Sequence, residues 1–166
     1  MDDKVLKGLM DAFAGESQAN RKYLLYAKKA EEDGYKNVAK LFRAAAEAEQ
    51  IHAFTEFKAA GKLNDTASNL EDAINGETYE FKEMYPEFEK NANSAGDEKI
   101  AKLFKNIGLV EEVHANLYKE ALEAVKSGKD VDSEYYLCPY CGYVGKEIPD
   151  KCPICGASGE KFKKAE

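Results

Sequence analysis

Residues 34–53, GYKNVAKLFRAAAEAEQIHA, return 62 places later as residues 96–115, GDEKIAKLFKNIGLVEEVHA. Gly, Ala-Lys-Leu-Phe, Glu, His and Ala coincide between the copies, while surface-type positions drift. In the first copy, apolar residues recur at helical spacing through Val38, Leu41, Phe42, Ala45 and Ala48, so this face is expected to turn toward a core. Glu49 and His52 lie on that same face. A carboxylate and an imidazole turned inward are costly unless something neutralises them. Glu49-x-x-His52 is matched by Glu111-x-x-His114, and the chain has only these two histidines.

An isolated Glu-x-x-His is ordinarily an exposed helix turn. Two copies on apolar faces, in a repeat, with no other histidine available, point instead to metal ligation, because residues three apart on a helix project to the same side. Working outward, the periodicity predicts four long helices. The first covers 4 to about 32 and ends at Asp33-Gly34, and the second covers 36 to about 60 and ends at Gly61. Ser68 and Glu71 have capping-box spacing and are expected to open the third, which continues to about 94 with a bend at Pro86. After Ala95-Gly96-Asp97 the fourth runs to about 126. Two helix pairs with approximate twofold symmetry would bring the motifs face to face in a four-helix bundle.

The first and third helices should add carboxylates. Glu16 shares a stripe with Leu9, Phe13, Tyr23 and Ala27, and stands 33 residues before Glu49. Glu77 and Glu80 flank an inner face carrying Ile74, Phe81, Met84 and Phe88, and Glu77 stands 34 residues before Glu111. One Glu from each of two helices plus Glu-x-x-His from each of the other two is the di-iron carboxylate pattern of ferritin-like bundles. Hard carboxylates with one imidazole per metal suit iron or manganese. Tyr23, seven residues after Glu16, and Tyr85, eight after Glu77, are either aromatic core or phenolic donors to ligand carboxylates.

At 166 residues the chain has room for one sizeable core and a small appendage. A net charge of -7 argues against a nucleic-acid surface or an anionic membrane. The N-terminus, MDDKVLKGLMDAF, carries acids where a secretory signal has basic residues, and no apolar run approaches the ~20 residues of a membrane span. A cytoplasmic protein is expected. SGKD at 127–130 breaks the helical pattern and Val131 to Leu137 reads as extended, which places the bundle in 1–130 and a second domain in 131–166.

All four cysteines fall in that second domain, as Cys138-x-x-Cys141 and Cys152-x-x-Cys155, each pair followed by glycine. The spacing predicts a tetrahedral four-thiolate metal site rather than scattered disulfides. The spacing alone leaves the metal open between a zinc ribbon and a mononuclear iron centre.

AFAGESQANRKY at 12–23, AEQIHA at 48–53, GETYEFKEMYP at 76–86, EEVHA at 111–115, and CPYCGY with CPICGA together resemble the rubrerythrins, in order and over essentially the whole chain. That resemblance implies a ferritin-like di-iron bundle joined to a rubredoxin-like iron centre. It implies di-iron ligation by Glu16, Glu49, Glu77, Glu80, Glu111, His52 and His114, with Glu49 and Glu111 bridging, and one iron on Cys138, Cys141, Cys152 and Cys155. It further implies that one iron takes Glu80 when ferric and His52 when ferrous. The expected activity is peroxide reduction to water in oxidative-stress defence, with electrons arriving through the cysteine-bound iron from a rubredoxin and an NAD(P)H-linked reductase, in a homodimer. The rival expectations are ferroxidase activity and non-enzymatic iron storage with a zinc staple.

Overall fold

The computed structural model describes residues 1–165. It divides the chain into two compact units, with the boundary between Asn64 and Asp65. The first unit is an antiparallel helix pair, α1 (Asp3–Glu32) and α2 (Lys36–Ala59). Asp2 caps α1 by accepting from the Lys4 amide. The α1 helix stops as expected at Gly34, whose φ of 87° lets Tyr35 donate back to the Ala30 carbonyl.

The seam of this pair differs from the apolar face expected of the repeat. The buried residues of α2 are Ala39, Ala46 and Ala53, and those of α1 are Asn20, Ala27 and Ala30. Small side chains let the two backbones approach closely, and the buried Asn20 amide donates to the Ala46 carbonyl at 2.7 Å. Val38 and Leu41, expected on the core face, are 45% and 68% exposed. A two-helix pair covers one flank of each helix, and alanine occupies that flank. Aromatic rings close the pair at two levels: Phe13 meets Phe57 at 4.9 Å, and Tyr23, Tyr26 and Phe42 cluster at 5.5–6.2 Å.

The second unit begins with α3 (Thr66–Tyr79), a π-helical segment (Glu80–Met84) and α4 (Tyr85–Ser94), a rod that packs along α5 (Glu98–Lys126). Asp65, rather than Ser68, caps α3, accepting from the Ser68 amide at 2.9 Å. The disturbance expected at Pro86 takes the form of the preceding π segment, in which the Tyr85 amide donates five residues back to the Glu80 carbonyl. Tyr85, Phe88 and Phe104 cluster at 5.4–6.2 Å, each 62 residues after Tyr23, Tyr26 and Phe42. The repeat therefore extends from sequence into packing. Beyond α5, β1 (Tyr136–Leu137) pairs antiparallel with β2 (Val144–Gly145) and β3 (Lys163–Lys164) in a sheet of order β2-β1-β3. Among the described residues no helix is long and apolar enough to cross a membrane.

Candidate metal centres

Each unit carries its own carboxylate–imidazole cluster. In the first, donor atoms of Glu16, Glu49 and His52 all lie within 4.8 Å of one another. His52 Nδ1 stands 3.0 Å from Glu49 Oε2. Glu16 is held above the usual carboxylate range by a hydrogen bond with Glu49, then by partial burial and the negative charges of Glu49 and Glu56. Carboxylates crowded in this way gain from a cation between them. The His52 ring is 57% exposed and has no partner on Nε2 among the described residues.

The second cluster joins Glu77, Glu111 and His114 within the same 4.8 Å span. His114 Nδ1 lies 2.8 Å from Glu111 Oε2 and 3.8 Å from Glu77 Oε1. Burial raises the Glu77 carboxyl, and the Glu111 charge raises it further. Glu80 lies outside that 4.8 Å grouping, although burial and then the Glu77 charge push its carboxyl up. Gly15-Glu16 corresponds to Gly76-Glu77 at a shift of 61, whereas Tyr23 corresponds to Tyr85 at 62. The one extra residue is absorbed by the wide turn at Glu80–Met84, which leaves the aromatic triad in register with its counterpart.

His114 is fixed where His52 is free. Its Nε2 lies 3.0 Å from the Gly142 carbonyl, an acceptor only, so Nε2 carries a hydrogen and Nδ1 is the ring nitrogen turned toward the carboxylates. Gly142 follows Cys141, so the imidazole joins this cluster to the cysteine loop within one unit. Gly142 adopts a φ of 85°, which turns the knuckle there, and a Cβ at this position would rest 3.8 Å from Val110 on α5. An ion pair between Lys146 and Glu120 ties the module to α5 at a second point.

The four cysteines are all free and form the third cluster. Their sulfurs approach in pairs, Cys138 to Cys155 and Cys141 to Cys152, each at 3.6 Å. Two matching knuckles build it, with Gly142 donating to the Cys138 carbonyl and Gly156 to the Cys152 carbonyl. Burial opposes ionisation of Cys152, yet amides of Cys155 and Ile154 aimed at its sulfur hold the thiol at about 7. Burial drives Cys141 up. A first thiolate is favoured and further ones need a cation, as a four-thiolate metal site requires.

Neither Tyr23 nor Tyr85 makes a hydrogen bond to a carboxylate among the described residues. Burial and the charges of Glu80, Glu111 and Glu77 raise the Tyr85 phenol, so it does face the second cluster. Tyr23 packs against Tyr26 and Phe42. Sequence reasoning missed Gly142, Glu56 and Tyr118. The last two are counterparts at the 62-residue shift and sit one helical turn beyond the two histidines, a signal present in the repeat. Burial and the charges of Glu77 and Glu111 raise the Tyr118 phenol.

Paired Glu-x-x-His motifs with added carboxylates on long helices, beside a four-thiolate module, define a ferritin-like di-iron protein with a rubredoxin-like domain. The family model described as Rubrerythrin matches residues 7–122, and the one described as Rubrerythrin, rubredoxin-like domain, matches 136–163. Rubrerythrin-2 of Clostridium acetobutylicum is 34% identical over 93% of this chain and 93% of its own length. Nigerythrin of Nitratidesulfovibrio vulgaris is 38% identical over 95% of this chain and 84% of its own. A solved structure of nigerythrin in its fully reduced, all-ferrous state matches 97% of this chain and 86% of that one, at 35% identity and a TM-score of 0.59. The chain belongs to the rubrerythrin family. Its cofactors are accordingly a di-iron centre and one metal on four cysteines, and the oxygen-rich and all-sulfur donor sets fit them in turn.

Proposed function

We propose that this protein is a cytoplasmic peroxidase that reduces hydrogen peroxide to water, with electrons relayed through its cysteine-bound iron from a rubredoxin-type donor, and that it works as a homodimer. Glu16, Glu49, Glu77, Glu80, Glu111, His52 and His114 serve as the di-iron ligands in this reading. The bundle spans 1–130 and the electron-transfer domain 131–166.

The observation that carries the proposal is the hydrogen bond from His114 to the Gly142 carbonyl. A storage protein has no need to wire a ligand imidazole to a thiolate-metal loop, whereas a catalyst that must be re-reduced after every turnover does. Iron held by these carboxylates and imidazoles would supply the electrons for peroxide reduction, and a metal held by the four cysteines would allow their return one at a time. The chain's own groups do the rest. Glu16, Glu77 and Glu80 each have a raised affinity for a proton, which suits them to pass protons to the oxidant. Glu80, an anion, favours the more highly charged metal state, and the unpinned His52, neutral, tolerates the lower.

A chain ending at Asp130 tests the relay. The two-iron bundle should persist and, once chemically reduced, be reoxidised by peroxide in stopped flow at near-parental speed. Steady-state peroxide consumption with rubredoxin and its reductase should collapse. Undiminished turnover would leave the cysteine module a structural staple, and iron accumulating in place of peroxide loss would favour ferroxidase or storage.

A further inference from the structure

The Oε2 atom of Glu56 is buried and has no hydrogen-bond partner in the structure. A carboxylate oxygen shielded from water with nothing to accept from loses its hydration without compensation. Among the described residues no Lys or Arg pairs with Glu56, and the charge it faces across the helix pair is that of Glu16, which it repels. Its position is set by the same periodicity as the metal ligands. Residues 49, 52, 53 and 56 share one face of α2, and the Phe13–Phe57 contact places this turn opposite the part of α1 that carries Glu16. A carboxylate with one buried, unpartnered oxygen, on the helix face that also carries Glu49 and His52, is a donor set short of a cation.

We propose that Glu56 is an auxiliary metal ligand, a carboxylate that receives a divalent cation on the α1–α2 cluster together with Glu16, Glu49 and His52. The inference rests on the di-iron reading and adds a ligand to it. Glu56 lies outside the 4.8 Å grouping of the other donors. It therefore reaches the ion by a change of side-chain rotamer, as carboxylates on flexible stems do, rather than by standing ready around it. Such a ligand captures an arriving ion and then yields to the tighter set. The α3–α5 cluster has no equivalent, because Tyr118 occupies the corresponding place and burial keeps its phenol protonated. Loading should then be unequal, with the first cation going to the cluster that has the extra carboxylate.

The test uses the full chain with its cysteine site filled and its bundle metal-free, titrated anaerobically with Co(II). Ligand-field absorption and chelator competition report affinity, and stopped flow reports loading rate. The variants are Glu56→Gln, which keeps the shape, Glu56→Leu, which keeps only bulk, and Tyr118→Phe as the control on the other cluster. In both Glu56 variants one cobalt equivalent should weaken by about tenfold and load more slowly, with the second equivalent unchanged. The metal-free Glu56→Leu protein should melt no lower than the parent, since an unpaired buried acid has been removed. Isotherms and rates superimposable on those of the parent would overturn the proposal, as would equal weakening in Tyr118→Phe. A parent that takes up no cobalt outside the cysteine site would overturn the di-iron reading itself, and this inference with it.

Discussion

The α1–α2 cluster and the α3–α5 cluster descend from one repeated pattern, and they differ in what holds them still. On α1–α2 an uninterrupted helix supplies Glu16, and His52 is open to solvent with one ring nitrogen unengaged. On α3–α5 a π turn supplies Glu80 in addition to Glu77, and His114, only 22% exposed, is locked by Gly142. Binding a metal asks for the same donors on both sides. The proposed cycling of electrons would ask for one ligand that can leave and one that is held, and the two histidines differ in that respect.

The comparison breaks first at the bridges. Glu49→Ala and Glu111→Ala belong to different clusters, yet both should lose the iron pair, so metal content falls from about three irons per chain to about one, with the thiolate iron kept. Full retention of bundle iron in either variant would end the bridging assignment. The next largest effect separates the histidines. His114→Ala should weaken bundle metal affinity by about 10- to 100-fold, because it removes a ligand already oriented by a hydrogen bond. His52→Ala should cost distinctly less in the ferric state, where Glu80 would stand in for it if the proposed ligand exchange operates. Metal competition titrations of the two variants in parallel measure the gap, and equal losses would erase the asymmetry.

Glu80→Ala sharpens it from the other side. Iron should still load on the remaining ligands, while peroxide turnover slows by roughly tenfold with little change in the ferrous form, read by steady-state kinetics beside metal analysis. Parental turnover would make Glu80 a bystander. The smallest effect lies in stability. Glu77 and Glu80 titrate above the ordinary 4.5 in the folded chain, so without metal the native state holds more protons than the unfolded one. Their contribution is therefore complete below about 4.5 and is lost as pH rises through their raised values. Thermal melts of metal-free protein should show this decline flattened in Glu77→Gln, and bound metal, which displaces the protons, should reverse its sign.

The helix pattern, the 62-residue repeat and the Cys-x-x-Cys pairs were legible because each is a periodicity or a spacing, and these survive without coordinates. Three things were not. The alanine seam escaped because hydrophobicity ranks Leu41 above Ala39, while close helix approach rewards the smaller residue. The cap at Asp65 escaped because Ser68 satisfies the same spacing rule and only the hydrogen-bond direction decides between them. The bond from His114 to Gly142 joins positions 28 apart through a backbone carbonyl, which leaves no mark in residue identity.

The π turn has a consequence for how such a molecule could arise. Seven residues separate Glu16 from Tyr23 and eight separate Glu77 from Tyr85, a difference of a single codon. An ordinary helix turns about 100° per residue, so one inserted amino acid would swing everything downstream off its face unless a wide turn absorbed it. By absorbing it, the turn confines the insertion's effect to the few residues around Glu80. A single in-frame triplet added to one copy of a duplicated segment could thus be tolerated without disturbing the helix on either side of it.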